Sequence, residues 1–109
     1  MRACVIFFAA IVLLAADNVI AEEILVGPES SVSSQVRGFI EIDLGRDLRQ
    51  ALLIPTSRIT FIRSSKKNDN NSQSELHVDA GGNQELVIRV PQRFIAFEDI
   101  KNAILNSLQ

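Results

Sequence analysis

The sequence predicts an α+β domain: a small, mostly antiparallel sheet of about four to five strands, with a C-terminal helix packed on one face. A cleavable signal peptide is expected in front of it. Three observations carry the fold class. Apolar residues alternate at period two in the middle of the chain, as in Ile40, Ile42 and Leu44. A double glycine, Gly81-Gly82, joins two such stretches. From Phe97 the period lengthens, so that Phe97, Ile100, Ile104 and Leu108 share one helical face, with Leu105 beside them.

Residues 1–21 read as the leader. Met1-Arg2 is a short positive start, residues 5–16 are uninterruptedly apolar, and Val19-Ile20-Ala21 offers what a signal peptidase reads, with cleavage after Ala21. A spanning helix needs about 20 apolar residues, so no stable membrane anchor is expected after cleavage. Cys4, the one cysteine, leaves with the leader, and a lipoprotein cysteine would follow the apolar run rather than precede it. The mature chain must then be held by its hydrophobic core, without disulfides. A domain of this length buries somewhat over ~60% of its unfolded surface. A periplasmic or secreted bacterial protein is the expectation. Cleavage removes Arg2 and Asp17, one charge of each sign, so the net charge stays at −2. That balance argues against a nucleic-acid partner. With six phenylalanines and no tryptophan or tyrosine, aromatic platforms for sugars or bases are scarce.

The mature chain divides into a flexible N-terminal arm, residues 22–35, and a single domain, residues 36–109. In the arm, Ile24-Leu25-Val26 is a brief extended stretch stopped by Gly27-Pro28, and four serines follow between positions 30 and 34. Residues 39–44 are a half-buried strand, with Glu41 and Asp43 on the watery side. Residues 46–53 admit either a short helix or a turn and strand; Ile54 before Pro55 favours the extended form. Residues 58–63 are a β-branched and aromatic strand with faces Ile59/Phe61/Arg63 and Thr60/Ile62. Residues 64–74 hold no apolar group and are expected to form a long mobile loop. Leu76 and Val78 then face the core, opposite His77 and Asp79. After the glycine turn Leu86, Ile88 and Val90 do the same, opposite Val87 and Arg89. Pro91 ends that strand. No Ser, Thr, Asp or Asn precedes Phe97, so Ala96 stands at the cap position, with Ile95 and Ile100 placed as a hydrophobic staple.

Candidate chemistry is sparse. His77, the one histidine, neighbours Asp79 on a strand face and reads as an exposed histidine, since no nucleophile or second metal ligand accompanies it. Glu41 and Asp43 read as a solvated pair without the split environments that acid–base work needs. Residues 68–72, Asn-Asp-Asn-Asn-Ser, carry oxygen ligands, but Gln73 stands where a calcium loop needs glycine and Asp79 where it needs glutamate. Asn70-Asn71-Ser72 is a glycosylation sequon, informative only in a eukaryote. Gly81-Gly82 lacks the strand–loop–helix context of a phosphate cradle. The remaining candidate is a small basic tip, Arg63, Lys66 and Lys67, placed to touch a partner. No catalytic residue, cofactor or metal is predicted.

From Ile54 to Leu105 the order strand, polar loop, strand, glycine turn, strand, helix resembles LytTR-type DNA-binding domains and small flagellar proteins of FlbD type. Both groups work in the cytoplasm, whereas this chain carries an export signal, and the resemblance brings no functional residue. The expected role is a non-catalytic binding or assembly module whose partner is another envelope or secreted protein. The alternatives are a small extracytoplasmic hydrolase or hydrolase inhibitor, and a cytoplasmic regulator with a misread N-terminus.

Overall fold

Ile40, Ile42 and Leu44 occupy one face of their strand and are each at most 1% exposed. They sit at the centre of a computed structural model that describes residues 20–65 and 72–109. Among those residues are seven strands: β1 (Ile20–Leu25), β2 (Ser31–Ser33), β3 (Phe39–Asp43), β4 (Ala51–Pro55), β5 (Ile59–Ser65), β6 (Gln73–Gly81) and β7 (Gln84–Pro91). A 3-10 turn at Thr56–Arg58 and a helix, α1 (Phe97–Ser107), complete the set. The α+β class holds, but the single sheet of four to five strands does not. The strands form two sheets, ordered β1-β7-β6-β5 and β2-β3-β4. The split falls at Pro55, which has no N–H to extend a ladder, and the 3-10 turn behind it carries the chain from one sheet to the other. Every pairing is antiparallel except β1 on β7, which is parallel.

Residues 22–35, expected as a flexible arm, are built into both sheets. β1 lies beside β7 with Ile24 opposite Ile88, and the N–H of Val26 donates to the Arg89 carbonyl at 2.9 Å. β2 pairs with β3 through Val32 opposite Ile42. Its serines carry no apolar rhythm, so the strand is visible only through its partner. The cleavage point expected after Ala21 falls within β1, while residues 1–19 of the leader lie outside the described residues. Residues 46–48 turn and β4 follows, which is the extended branch of the fork.

Two further expectations change. Strict alternation fails in β5, where a bulge between Ile59 and Phe61 shifts the register against β6. Ile59 and Ile62 therefore both pack on the core, and Phe61 is 47% exposed. The polar run is also shorter than a loop from 64 to 74: β5 extends to Ser65 and β6 begins at Gln73. Residues 66–71, with Lys66, Lys67 and most of the calcium-like and sequon residues, lie outside the described residues.

α1 lies against β2 and β3. Ala96 is its N-cap without a side-chain bond, and Ile95 and Ile100 share the core as the staple spacing requires. The buried stripe is Ile100, Ala103 and Ser107, with Ile104 at its margin. Leu105 and Leu108 face outward instead: Leu105 is two residues from both Ala103 and Ser107 and so lies on the side of the helix away from the stripe, and Leu108 is already the C-cap. The last turn is fastened from within. Ser107 Oγ donates to the Ile104 carbonyl at 2.7 Å, which uses its one proton. Thr56 Oγ1 therefore donates to Ser107 Oγ, also at 2.7 Å, in a buried bond. Gly38 joins the same knot, its N–H donating to the Ser107 carbonyl and its carbonyl accepting from Thr56 N–H.

One core serves all three layers: Ile40, Ile42 and Ile54 from the smaller sheet, Leu76, Ile88 and Val90 from the larger, and Ile100 and Ala103 from the helix. Each large side chain so buried stabilises the fold by roughly 1.5–3 kcal/mol. The β1–β2 and β3–β4 connections are locked together through Gly45. Its φ is +107°, and a Cβ there would lie 2.5 Å from the Pro28 carbonyl oxygen, so only glycine fits. The β6–β7 turn uses Gly81 and Gly82 at φ of +97° and +59°, and Asp79 Oδ1 accepts the Gly81 N–H.

Candidate functional site

The sequence directs attention first to His77 and Arg63, and the structure places both on the outer face of the four-stranded sheet. Register sets two cross-strand rows there. Arg63, Glu75 and Arg89 form one, and Phe61, His77 and Val87 the other. Arg63 Nη2 donates to Glu75 Oε1 at 2.5 Å, and Arg89 Nη1 donates to Glu75 Oε2 at 2.9 Å. His77 Nε2 lies 3.0 Å from Glu75 Oε1. The Arg63 hydrogen bond, followed by that of His77, holds the Glu75 carboxyl down at about 2, against the effect of its burial. On the far side Arg89 also grips Glu23 of β1, and that bond above all raises its pKa.

His77 is not the exposed histidine expected from sequence; it is 8% exposed. The Phe61 ring covers it at 4.0 Å between centroids and 17° between planes. Nδ1 is buried, 3.4 Å from Glu85 Oε1 but not aligned for a hydrogen bond. Asp79 is not its partner and turns instead to Gly81 N–H and to Arg58, 3.8 Å away. A carboxylate that stays ionised down to about pH 2 is a poor proton acceptor near neutrality. The chemistry of this face is that of a cross-strand charge ladder. Arg63, read as part of a basic tip, is engaged by Glu75. Glu41 and Asp43 are exposed on β3, as expected, and Asp43 Oδ1 accepts the Gly45 N–H. Among the described residues no group of three or more His, Cys, Asp or Glu is placed to hold a metal ion. None of their helices is long and apolar enough to cross a membrane.

The more open surface is one the sequence did not single out. Among the described residues β4 is an edge strand, paired only with β3. Along its open side runs a cleft of about 370 Å³, lined on one wall by residues 52–55 and on the other by Val78, Ala80 and Leu86 of the β6–β7 hairpin. Four consecutive strand residues line it, so the cleft follows the strand edge rather than one face. Leu53, 55% exposed, lines it, as does the Arg58–Asp79 pair. Edge strands are usually blunted by charge, by proline or by a covering element. Here Pro55 blunts the end of the strand alone and Leu53 is left uncovered. The sequence did carry a signal: Ala51-Leu52-Leu53-Ile54 is apolar on both faces, one face more than a half-buried strand needs.

The opposite edge of the same sheet, β2, borders a second groove of about 410 Å³ against α1, lined by residues 30–34, Asp99, Asn102, Ala103 and Asn106 among others. Comparison with models of known protein families, with curated proteins and with solved structures finds no match.

Proposed function

We propose that the chain is a non-catalytic binding or assembly module of the bacterial envelope or secretome, holding another exported protein along the open edge of β4. The observation that carries this is Leu53, a large apolar side chain 55% exposed on an unpaired strand edge above an apolar cleft. An extended partner segment there would extend the sheet β2-β3-β4 by one strand, with main-chain bonds giving affinity and the cleft selecting its side chains. Covering Leu53 itself contributes roughly 1–2 kcal/mol. A hydrolase built on His77 would need the imidazole open to substrate, and it lies beneath Phe61.

The test is affinity capture from periplasmic extract with the full chain as bait, comparing wild type, Leu53→Lys and Leu105→Lys. Leu105 is 51% exposed on α1, away from the cleft. One partner should be retained by wild type and Leu105→Lys and lost at least tenfold by Leu53→Lys. Equal capture by all three would remove β4 from the interface, and no capture by any, with a monomeric bait, would sink the binding reading. Mass spectrometry of the mature protein should find Glu22 at its N-terminus; an intact Met1 would favour a cytoplasmic role.

A further inference from the structure

The groove beside β2 differs from the β4 cleft in kind. It is lined by five consecutive residues, 30–34, so like the cleft it follows a strand edge rather than a face. Among the described residues β2 pairs with β3 on one side only. Across from it stands a helical wall, because Asp99, Asn102, Ala103 and Asn106 recur at intervals of three and four on α1. Ile95 and Ala103, both buried, close its base. The geometry is therefore a strand edge facing a helix across a trough, and five residues of extended chain span about 16 Å.

We infer that this trough is a second binding site, taking an extended basic peptide segment of a protein partner as an added strand on β2. Three features select that occupant. A strand edge offers alternating N–H and carbonyl groups at the spacing of another extended backbone. The facing Asn102 and Asn106 amides each donate and accept, as a peptide backbone requires. Asp99 is the charged side chain in the lining and, among the described residues, no cation lines the groove; Glu98 beside it is paired with Lys101, 3.4 Å away, so it is Asp99 that favours Lys or Arg in the bound segment. The buried Ser30 hydroxyl, at one end of the trough, has no partner among the described residues. An oligosaccharide would want aromatic faces along the groove, and Phe94 is the one aromatic residue in its lining.

This site shares no lining residue with the β4 cleft, so the two readings stand or fall separately. The probe is a fluorescein-labelled hexapeptide of alternating valine and lysine, titrated with the full chain and followed by anisotropy. The same peptide N-methylated at alternate backbone nitrogens, and a valine–glutamate version, are the comparisons. Wild type should bind the lysine peptide at least tenfold more tightly than either. Asn102→Trp, which fills the trough from an exposed position, should weaken it tenfold or more. Leu105→Trp, at an exposed position of the same helix but outside the lining, and Leu53→Lys should leave it unchanged. Asp99→Lys should reverse the preference toward the glutamate peptide. Equal binding of the N-methylated peptide, or an Asn102→Trp variant that binds like wild type, overturns the proposal. So does a wild-type dimer in sedimentation that Asn102→Trp converts to monomer, since the occupant would then be a second copy.

Discussion

The two edges of the three-stranded sheet share a central strand and differ in almost everything else. β4 has five residues, is apolar on both faces, and opens onto a cleft walled by a hairpin of the other sheet. β2 has three residues, two of them serine, and opens onto a polar trough walled by a helix. An occupant of β4 would gain main-chain bonds and also bury apolar side chains, which the cleft selects. An occupant of β2 has little apolar surface to bury and must be recognised through backbone bonds and charge. On the proposed reading, edge composition and the facing wall, rather than the sheet itself, set what an open strand accepts.

The largest test of that comparison acts on what the edges share. Ile42 of β3 is 0% exposed and sits opposite Val32 on one side and Leu52 on the other. Ile42→Ala leaves a cavity under both edges and should cost about 2–5 kcal/mol in urea denaturation. Partner capture at β4 and peptide binding at β2 should fall together under mildly destabilising conditions. If one survives while the other fails, the two edges do not depend on a common core.

How much of this was legible in the sequence follows from what each element depends on. β3 was plain because Ile40, Ile42 and Leu44 alternate without interruption, and the Gly81-Gly82 turn because positive φ at both positions selects glycine. β2 was hidden because Ser-Val-Ser carries no local pattern, and its pairing is set by β3. The division into two sheets was hidden for a related reason: Pro55 announces a turn but not a change of sheet. His77 was misread because burial on an outer sheet face comes from cross-strand neighbours, and the β5 bulge that brings Phe61 over it is not written in alternation. Of the candidate site, the doubled apolar character of residues 51–54 was visible and its meaning was not, since an edge strand and a central one share that pattern.

A medium effect separates the edges. Ser107 accepts the Thr56 hydroxyl and anchors the last turn of α1, which forms the helical wall of the β2 trough near Asn106. Ser107→Ala removes that acceptor and leaves the buried Thr56 hydroxyl unpaired, at a cost of about 1–3 kcal/mol. Amide exchange should accelerate in the last turn of α1, and the valine–lysine peptide should bind more weakly. Capture through β4 should change less, because Ser107 is not in its lining. Equal losses at both sites would mean that the knot formed by Gly38, Thr56 and Ser107 supports β4 as much as the helix.

The last test acts on the other sheet and serves as the control for both edges. Glu75 has its carboxyl held at about 2 in the folded protein against an ordinary value of 4.5, chiefly by the Arg63 hydrogen bond. A depressed carboxylate contributes stability that is fully present above the unfolded value and is lost as the pH falls through the folded one. The wild-type urea midpoint should therefore decline as pH drops from 4.5 toward about 2. Glu75→Gln keeps the shape of the side chain and removes its charge, so its profile should start somewhat lower at pH 7 and descend less steeply through that window. Parallel profiles would mean that Arg63 and Arg89 do not stabilise the Glu75 charge. Because Glu75 lines neither the β4 cleft nor the β2 trough, binding at both should be unchanged in the variant at pH 7. A loss at either edge would instead tie the charge ladder of one sheet to the open edges of the other through the core they share.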